Sequence, residues 1–105
     1  MAGIVKHIVM LKFKAEVTEE EQRELIAKYA ALTTTISAMK TFEWGTDVSV
    51  ENLHDGYTHV FESTFDSKEG RNEYLVHPNH EAYAQELLAA AEKVIVFDYC
   101  PVKAP

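Results

Sequence analysis

Residues 5–13, VKHIVMLKF, alternate with a period of two. Val5, His7, Val9, Leu11 and Phe13 fall on one face, and Lys6, Ile8, Met10 and Lys12 on the other. Successive side chains point to opposite faces only in a β-strand, so the pattern predicts one. The first face is apolar except for His7. The second is apolar at its centre and charged at its ends. A strand that needs cover on both sides predicts helices over one face and a partner subunit over the other. His7 then points into an interior, where a histidine ordinarily bonds one polar neighbour. Residues 57–65, YTHVFESTF, repeat the arrangement. Tyr57, His59, Phe61, Ser63 and Phe65 share one face, again apolar with one histidine near its start. Two such faces in one small sheet are hard to ascribe to packing alone.

The remaining elements follow from local signals. Thr18, with Glu21 three residues on, spells a capping box, and the acids of this turn suit the positive end of a helix. Leu25, Tyr29, Leu32 and Ile36 then recur on one helical face, with Ile26 beside them. Tyr29 is thereby turned toward the sheet, and a buried phenol needs a hydrogen-bond partner, for which His7 is one candidate. Residues 40–47, KTFEWGTD, read as a second strand, and 48–56 as a polar loop in which His54 is solvated. Ser67 caps a short helix running from Lys68 to about Val76. A second helix covers Asn79 to Lys93, and its Tyr83, Leu87, Ala90 and Ala91 form a small-residue face. Val94 to Tyr99 is the last strand, apolar on both faces as a central strand tends to be.

The order βαββαβ predicts an α+β chain with a ferredoxin-like fold, its four-stranded antiparallel sheet covered by helices on one face. The whole chain, 1–105, is expected to be one domain. Ile8, Met10, Val60 and Thr64 are left on the uncovered face. A homodimer is the economical way to bury them, since two-fold pairs are the commonest oligomers.

The segment EYLVHPNH, residues 73–80, gathers Tyr74, His77 and His80 around Pro78. Proline forces the residue before it into extended geometry and cannot continue a helix, so the segment predicts a helix–helix corner. Histidine titrates near neutrality and serves as acid or base, while tyrosine can donate to a carbonyl oxygen. On the plainer reading Tyr74 packs and the histidines cap helix ends. A metal set built from His77, His80 and His7 or His59 is a further alternative, although Pro78 interrupts the helix that would align the first two.

A formal net charge of −7, from 17 carboxylates against 10 lysines and arginines, disfavours phosphate backbones and anionic lipid. Neither nucleic acid nor membrane is therefore expected as a partner. No apolar run reaches the roughly 18 residues of a membrane span, and the N-terminal sequence lacks the marks of a secretory signal. Cys100 is the only cysteine, which points to a reducing, cytoplasmic setting.

Four segments carry a resemblance: KHIVMLKFK (6–14), MKTFEWGTDVS (39–49), GYTHVFESTFDSKE (56–69) and EYLVHPNHEAY (73–83). The chain resembles the plant stress-responsive dimeric α/β-barrel domain family, whose members include heat-stable stress proteins and olivetolic acid cyclase. The resemblance implies an α+β barrel formed by two subunits, with a pocket between sheet and helices and no metal or cofactor. In the cyclase members a histidine and a tyrosine direct an intramolecular C2–C7 aldol condensation of a linear poly-β-ketoacyl substrate to a resorcylic acid. His80 and Tyr74 match that pair. His7, Tyr29 and His59 match further pocket residues. Phe61 stands where the cyclase has a smaller aliphatic residue and Ile26 where it has an aromatic one. Both are expected at the tail end of the pocket, so the acyl tail accepted here would differ or be absent. Family membership without defined chemistry, as a stress-associated homodimer with a His/Tyr-lined apolar pocket, is the companion expectation.

Overall fold

A computed structural model describes residues 3–104. The elements are β1 (Val5–Phe13), α1 (Glu19–Thr35), β2 (Thr41–Thr46), β3 (His59–Phe65), α2 (Lys68–Val76), α3 (Pro78–Ala90) and β4 (Ala91–Tyr99). All strand pairs are antiparallel, in the order β2-β3-β1-β4. The fold is ferredoxin-like, with the helices on one face of the sheet.

Burial along β1 alternates as its sequence does, and Val5, His7, Val9, Leu11 and Phe13 are all buried. Ile26, Tyr29 and Leu32 of α1, Tyr74 of α2, and Tyr83 and Leu87 of α3 close over that face. The capping box forms as written: Thr18 Oγ1 accepts from the Glu21 N–H at 3.1 Å, and Glu21 accepts from the Thr18 N–H at 3.0 Å.

Three expectations change. The third strand starts at His59 rather than Tyr57. The third helix stops at Ala90 rather than Lys93, and β4 takes over at Ala91. More consequentially, β4 is an edge strand, not a central one, and its Phe97 is 62% exposed. Its two apolar faces have different neighbours. Val94 and Val96 lie on the helix side, whereas Ile95, Phe97 and Tyr99 join Ile8, Met10 and Val60 on the uncovered face.

The layer between sheet and helices divides into two halves. Toward β2 and β3 it is filled by aromatic rings. Tyr29 lies 4.7 Å from Phe42 and 5.2 Å from Phe61, centroid to centroid, and Phe42 stacks on Phe61 at 15°. Toward β1 and β4 it is hollow.

The long β2–β3 connection is tied down at its far end. Asp55 and Gly56 both take positive φ, 54° and 82°, which glycine adopts without strain. Lys93 Nζ bonds both the backbone carbonyl and the carboxylate of Asp55 and sits 4.5 Å over the Tyr57 ring. Among the described residues no helix is long and apolar enough to cross a membrane.

Candidate functional site

The hollow half is a cavity of about 190 Å³ with almost wholly apolar walls. Its floor comes from β1 and β4 (His7, Val9, Val94, Val96) and its roof from α2 and α3 (Tyr74, Leu75, Leu87, Leu88). Tyr29 of α1 and Tyr83 of α3 close the inner end, with Phe61 behind Tyr29. Five phenol or imidazole groups therefore interrupt an otherwise greasy wall: His7, Tyr29, Tyr74, His80 and Tyr83.

The Pro78 corner brings Tyr74 and His80 together. Extended geometry at His77 ends α2, Pro78 starts α3, and His80 falls in its first turn. The His80 ring is thereby placed 4.3 Å from that of Tyr74. His80 Nδ1 lies 3.1 Å from the carbonyl oxygen of Leu75. A carbonyl only accepts, so Nδ1 carries the proton in this bond and Nε2 keeps its lone pair. Burial lowers the His80 pKa below the ordinary imidazole value, and the nearby His7 acts in the same direction. Tyr74 is fully buried, and burial raises its hydroxyl to about 12. Burial likewise holds Tyr29 and Tyr83 well above the ordinary phenol value. At neutral pH the cavity thus offers an uncharged imidazole as base beside phenols that stay protonated as donors.

His7 enters from β1. Its Nδ1 lies 2.6 Å from Asp98 Oδ1, and the other carboxylate oxygen of Asp98 accepts from Arg71 Nη1 at 2.8 Å. Tyr29 therefore does not take His7 at this nitrogen as its partner. Burial, with the nearby Tyr74 phenol acting in the same direction, keeps the Tyr29 hydroxyl protonated. Tyr83 donates instead to the Leu25 carbonyl at 2.7 Å.

Four of the seven residues singled out from sequence, His80, Tyr74, His7 and Tyr29, line one cavity. The other three do not. His59 sits at the far end of the β1–β3 ladder, paired with Leu11, whereas His7 pairs with Ser63. Its ring packs against Phe13 at 5.0 Å and Trp44 at 6.2 Å. Ile26 and Phe61 belong to the filled half of the core, and Phe61 has no exposed surface. These three lie outside the lining of this cavity; for the two strand residues, periodicity sets the face a side chain takes and register sets the end. His77 follows the plainer reading, its Nδ1 accepting from the Asn79 N–H at 3.1 Å to cap α3. Among the described residues no group of His, Cys, Asp or Glu side chains is arranged to hold a metal ion. Asp98 and Arg71 were not anticipated. Asp98 did leave one signal, as the only charge inside the apolar run VIVFDY.

Proteins of known sequence and structure resemble this chain over nearly their whole length. The chain is 52% identical over 99 residues to the stress-response A/B barrel domain-containing protein HS1 of Arabidopsis thaliana, covering 94% of this chain and 91% of that one. It is 42% identical over 99 residues to the olivetolic acid cyclase of Cannabis sativa, covering 94% of this chain and 98% of the other. Among solved structures, the hydroxynitrile lyase of Passiflora edulis superposes with a TM-score of 0.94 at 33% identity, covering 99% and 98% of the two chains. A ferredoxin-like protein of Jannaschia sp. CCS1, described as dimeric, superposes at 0.81 with 26% identity over 92% and 98% of the chains. Residues 5–101, from the start of β1 to just past β4, match the family described as the stress responsive A/B barrel domain. Fold and sequence agree, and the chain belongs to the stress-responsive A/B barrel domain family.

Proposed function

We propose that this protein is a homodimer whose cavity binds a small, mainly apolar carbonyl compound, and that His80 and Tyr74 move a proton at the carbon beside its carbonyl. The observation that carries the reading is the Tyr74–His80 contact, 4.3 Å between rings, in the wall of an apolar cavity. Neutral His80, through Nε2, takes a proton from a methylene flanked by carbonyls, a carbon acid within reach of an ordinary imidazole. Tyr74, held protonated by burial, donates to the carbonyl oxygen on which negative charge develops. The apolar walls exclude water and strengthen that hydrogen bond. Folding a flexible substrate so that its reacting carbons meet contributes several kcal/mol more, on the order of the advantage of well-oriented intramolecular reactions. The chemistry asks for no metal or cofactor.

Two relatives named for lyase or cyclase activity support this class of reaction. The more specific version is a C2–C7 aldol cyclisation of a linear poly-β-ketoacyl substrate to a resorcylic acid. Cavity size narrows it: about 190 Å³ is below the roughly 300–1,000 Å³ usual for ligand sites. With Phe61 and Tyr29 blocking the inner end, a methyl or otherwise short tail fits better than a pentyl one. The identity with HS1 favours a second reading, a stress-associated dimer that uses the cavity without turnover.

The homodimer is supported by the apolar uncovered face, where Ile95, Phe97 and Tyr99 enlarge the patch expected from Ile8, Met10 and Val60. It is also supported by fold neighbours described as dimeric. The single domain spans 1–105, and one exposed free cysteine suits a cytoplasmic setting.

The test is turnover of a short-tailed linear tetraketide-CoA, generated in situ by a type III polyketide synthase, by wild type beside His80→Ala and Tyr74→Phe. A resorcylic acid formed by wild type and lost in both variants, while the dimer persists, is the expected result. Only the lactones and decarboxylated phenols seen without the protein would leave the second reading standing.

A further inference from the structure

We propose that Arg71 is a positioning residue for the cavity: through Asp98 it fixes the His7 imidazole with the proton on Nδ1. The inference rests on reading the cavity as a binding site. It adds to that reading a second oriented imidazole, held by side chains on two other elements.

The geometry is a linear chain. His7 of β1 meets Asp98 Oδ1 of β4 at 2.6 Å, and Asp98 Oδ2 meets Arg71 Nη1 of α2 at 2.8 Å. The Arg71 side chain is itself oriented by its Nε–H, which donates to Asn72 Oδ1 at 2.9 Å. A guanidinium has only donors, so the carboxylate oxygen facing Arg71 must accept. As a carboxylate, Asp98 has only acceptors, so the ring nitrogen facing it must donate. Nδ1–H is therefore the form that satisfies all three groups, and Nε2 is left with a lone pair for whatever the cavity holds.

Arg71 has a separate role from Asp98. The Asp98 side chain stands on the edge strand and is 21% exposed, whereas that of His7 is only 5% exposed. A half-buried carboxylate at a sheet edge would otherwise be free to turn toward water. Pairing with the side chain of α2, itself 21% exposed, holds it inward. His80 reaches the same state by a different route, since its Nδ1 is bonded to a backbone carbonyl. The cavity then carries two imidazoles with Nδ1 committed and Nε2 free. Each is an acceptor for a hydroxyl or a base toward an acidic C–H. Only the His7 arrangement can be altered by changing side chains.

The experiment reads the ¹⁵N shifts of the His7 ring at alkaline pH in intact protein, its signals assigned by their loss in His7→Gln. Wild type is expected to show Nδ1 protonated and Nε2 bare. In Asp98→Asn, Arg71 keeps the amide oxygen, so the amide N–H faces His7, Nδ1 must accept, and the proton moves to Nε2. The tautomer ratio should shift by about tenfold or more, the weight of one good hydrogen bond. In Asp98→Asn with Arg71→Met the amide is free to turn, and Nδ1–H returns to a substantial share. A wild-type ring protonated on Nε2 would overturn the proposal, as would the same tautomer ratio in Asp98→Asn with and without Arg71. The wild-type reading needs no variant to fold. It is also independent of turnover: inactivity with the expected tautomers would sink the proposed reaction and leave this inference standing.

Discussion

The two halves of the layer between sheet and helices are made from the same materials and do opposite things. On the β2–β3 side, Phe42, Phe61 and Tyr29 interlock at ring distances of 4.7–6.2 Å and leave no space. On the β1–β4 side, equally apolar residues leave a cavity of about 190 Å³, into which imidazoles and phenols are admitted. A filled core gains dispersion and hydrophobic energy, whereas an empty one forfeits both. The hollow half is therefore a cost that the aromatic half offsets. Tyr29 belongs to both, packing Phe61 on one side and facing the cavity on the other.

Substitutions in the two halves should separate stability from activity. The largest expected effect is Phe61→Ala, which opens the filled half and should cost about 3–5 kcal/mol in denaturant unfolding. A cost under about 1 kcal/mol would mean that this half is not the scaffold. Next, His80→Ala should lower product formation by about 10²–10⁴-fold while stability changes by about 1 kcal/mol. Equal losses of stability in the two variants would erase the distinction. Ala84→Leu, filling the cavity from α3, should weaken ligand binding by about tenfold or more and leave unfolding within about 1 kcal/mol of wild type. Calorimetric titration checks the first part and urea melts the second.

His59→Leu sharpens the comparison from the other side, because His59 lies at the β2–β3 end, outside this cavity, although its sequence resemblance places it in the pocket. Its turnover should stay within about twofold of wild type. A loss as large as that of His80→Ala would move the site.

The smallest effect is in pH. Burial lowers the pKa of both His80 and His59, so each is neutral when folded at a pH where the unfolded chain already binds a proton. Their stability is complete above the ordinary imidazole value of 6.5 and falls as pH drops through it. The urea midpoint should decline between about pH 7.5 and about pH 5.5, and less steeply in His59→Leu.

The fold was largely legible because its signals are local: period-two faces, the Thr18–Glu21 box, and the Pro78 corner. The edge position of β4 was not. Apolar residues on both faces of VIVFDY read as central, and pattern alone cannot distinguish burial within one chain from a patch available to a second. Within the site, Tyr74 and His80 were legible because they are six residues apart across one corner. His7 and His59 look equivalent in sequence, and only the antiparallel register separates them, leaving His7 beside Asp98 and His59 beside Trp44. Arg71 was invisible: nothing in KEGRNEY marks the one side chain that reaches across to β4.

The central proposal, that the hollow half is where a small molecule binds, is tested most directly by an NMR titration with a methyl-tailed resorcylic acid. The expected shifts fall on His7, Tyr74, His80, Leu87 and Val94, with His59, Phe42 and Trp44 unmoved. Shifts confined to the β2–β3 end or to the uncovered sheet face would contradict the account.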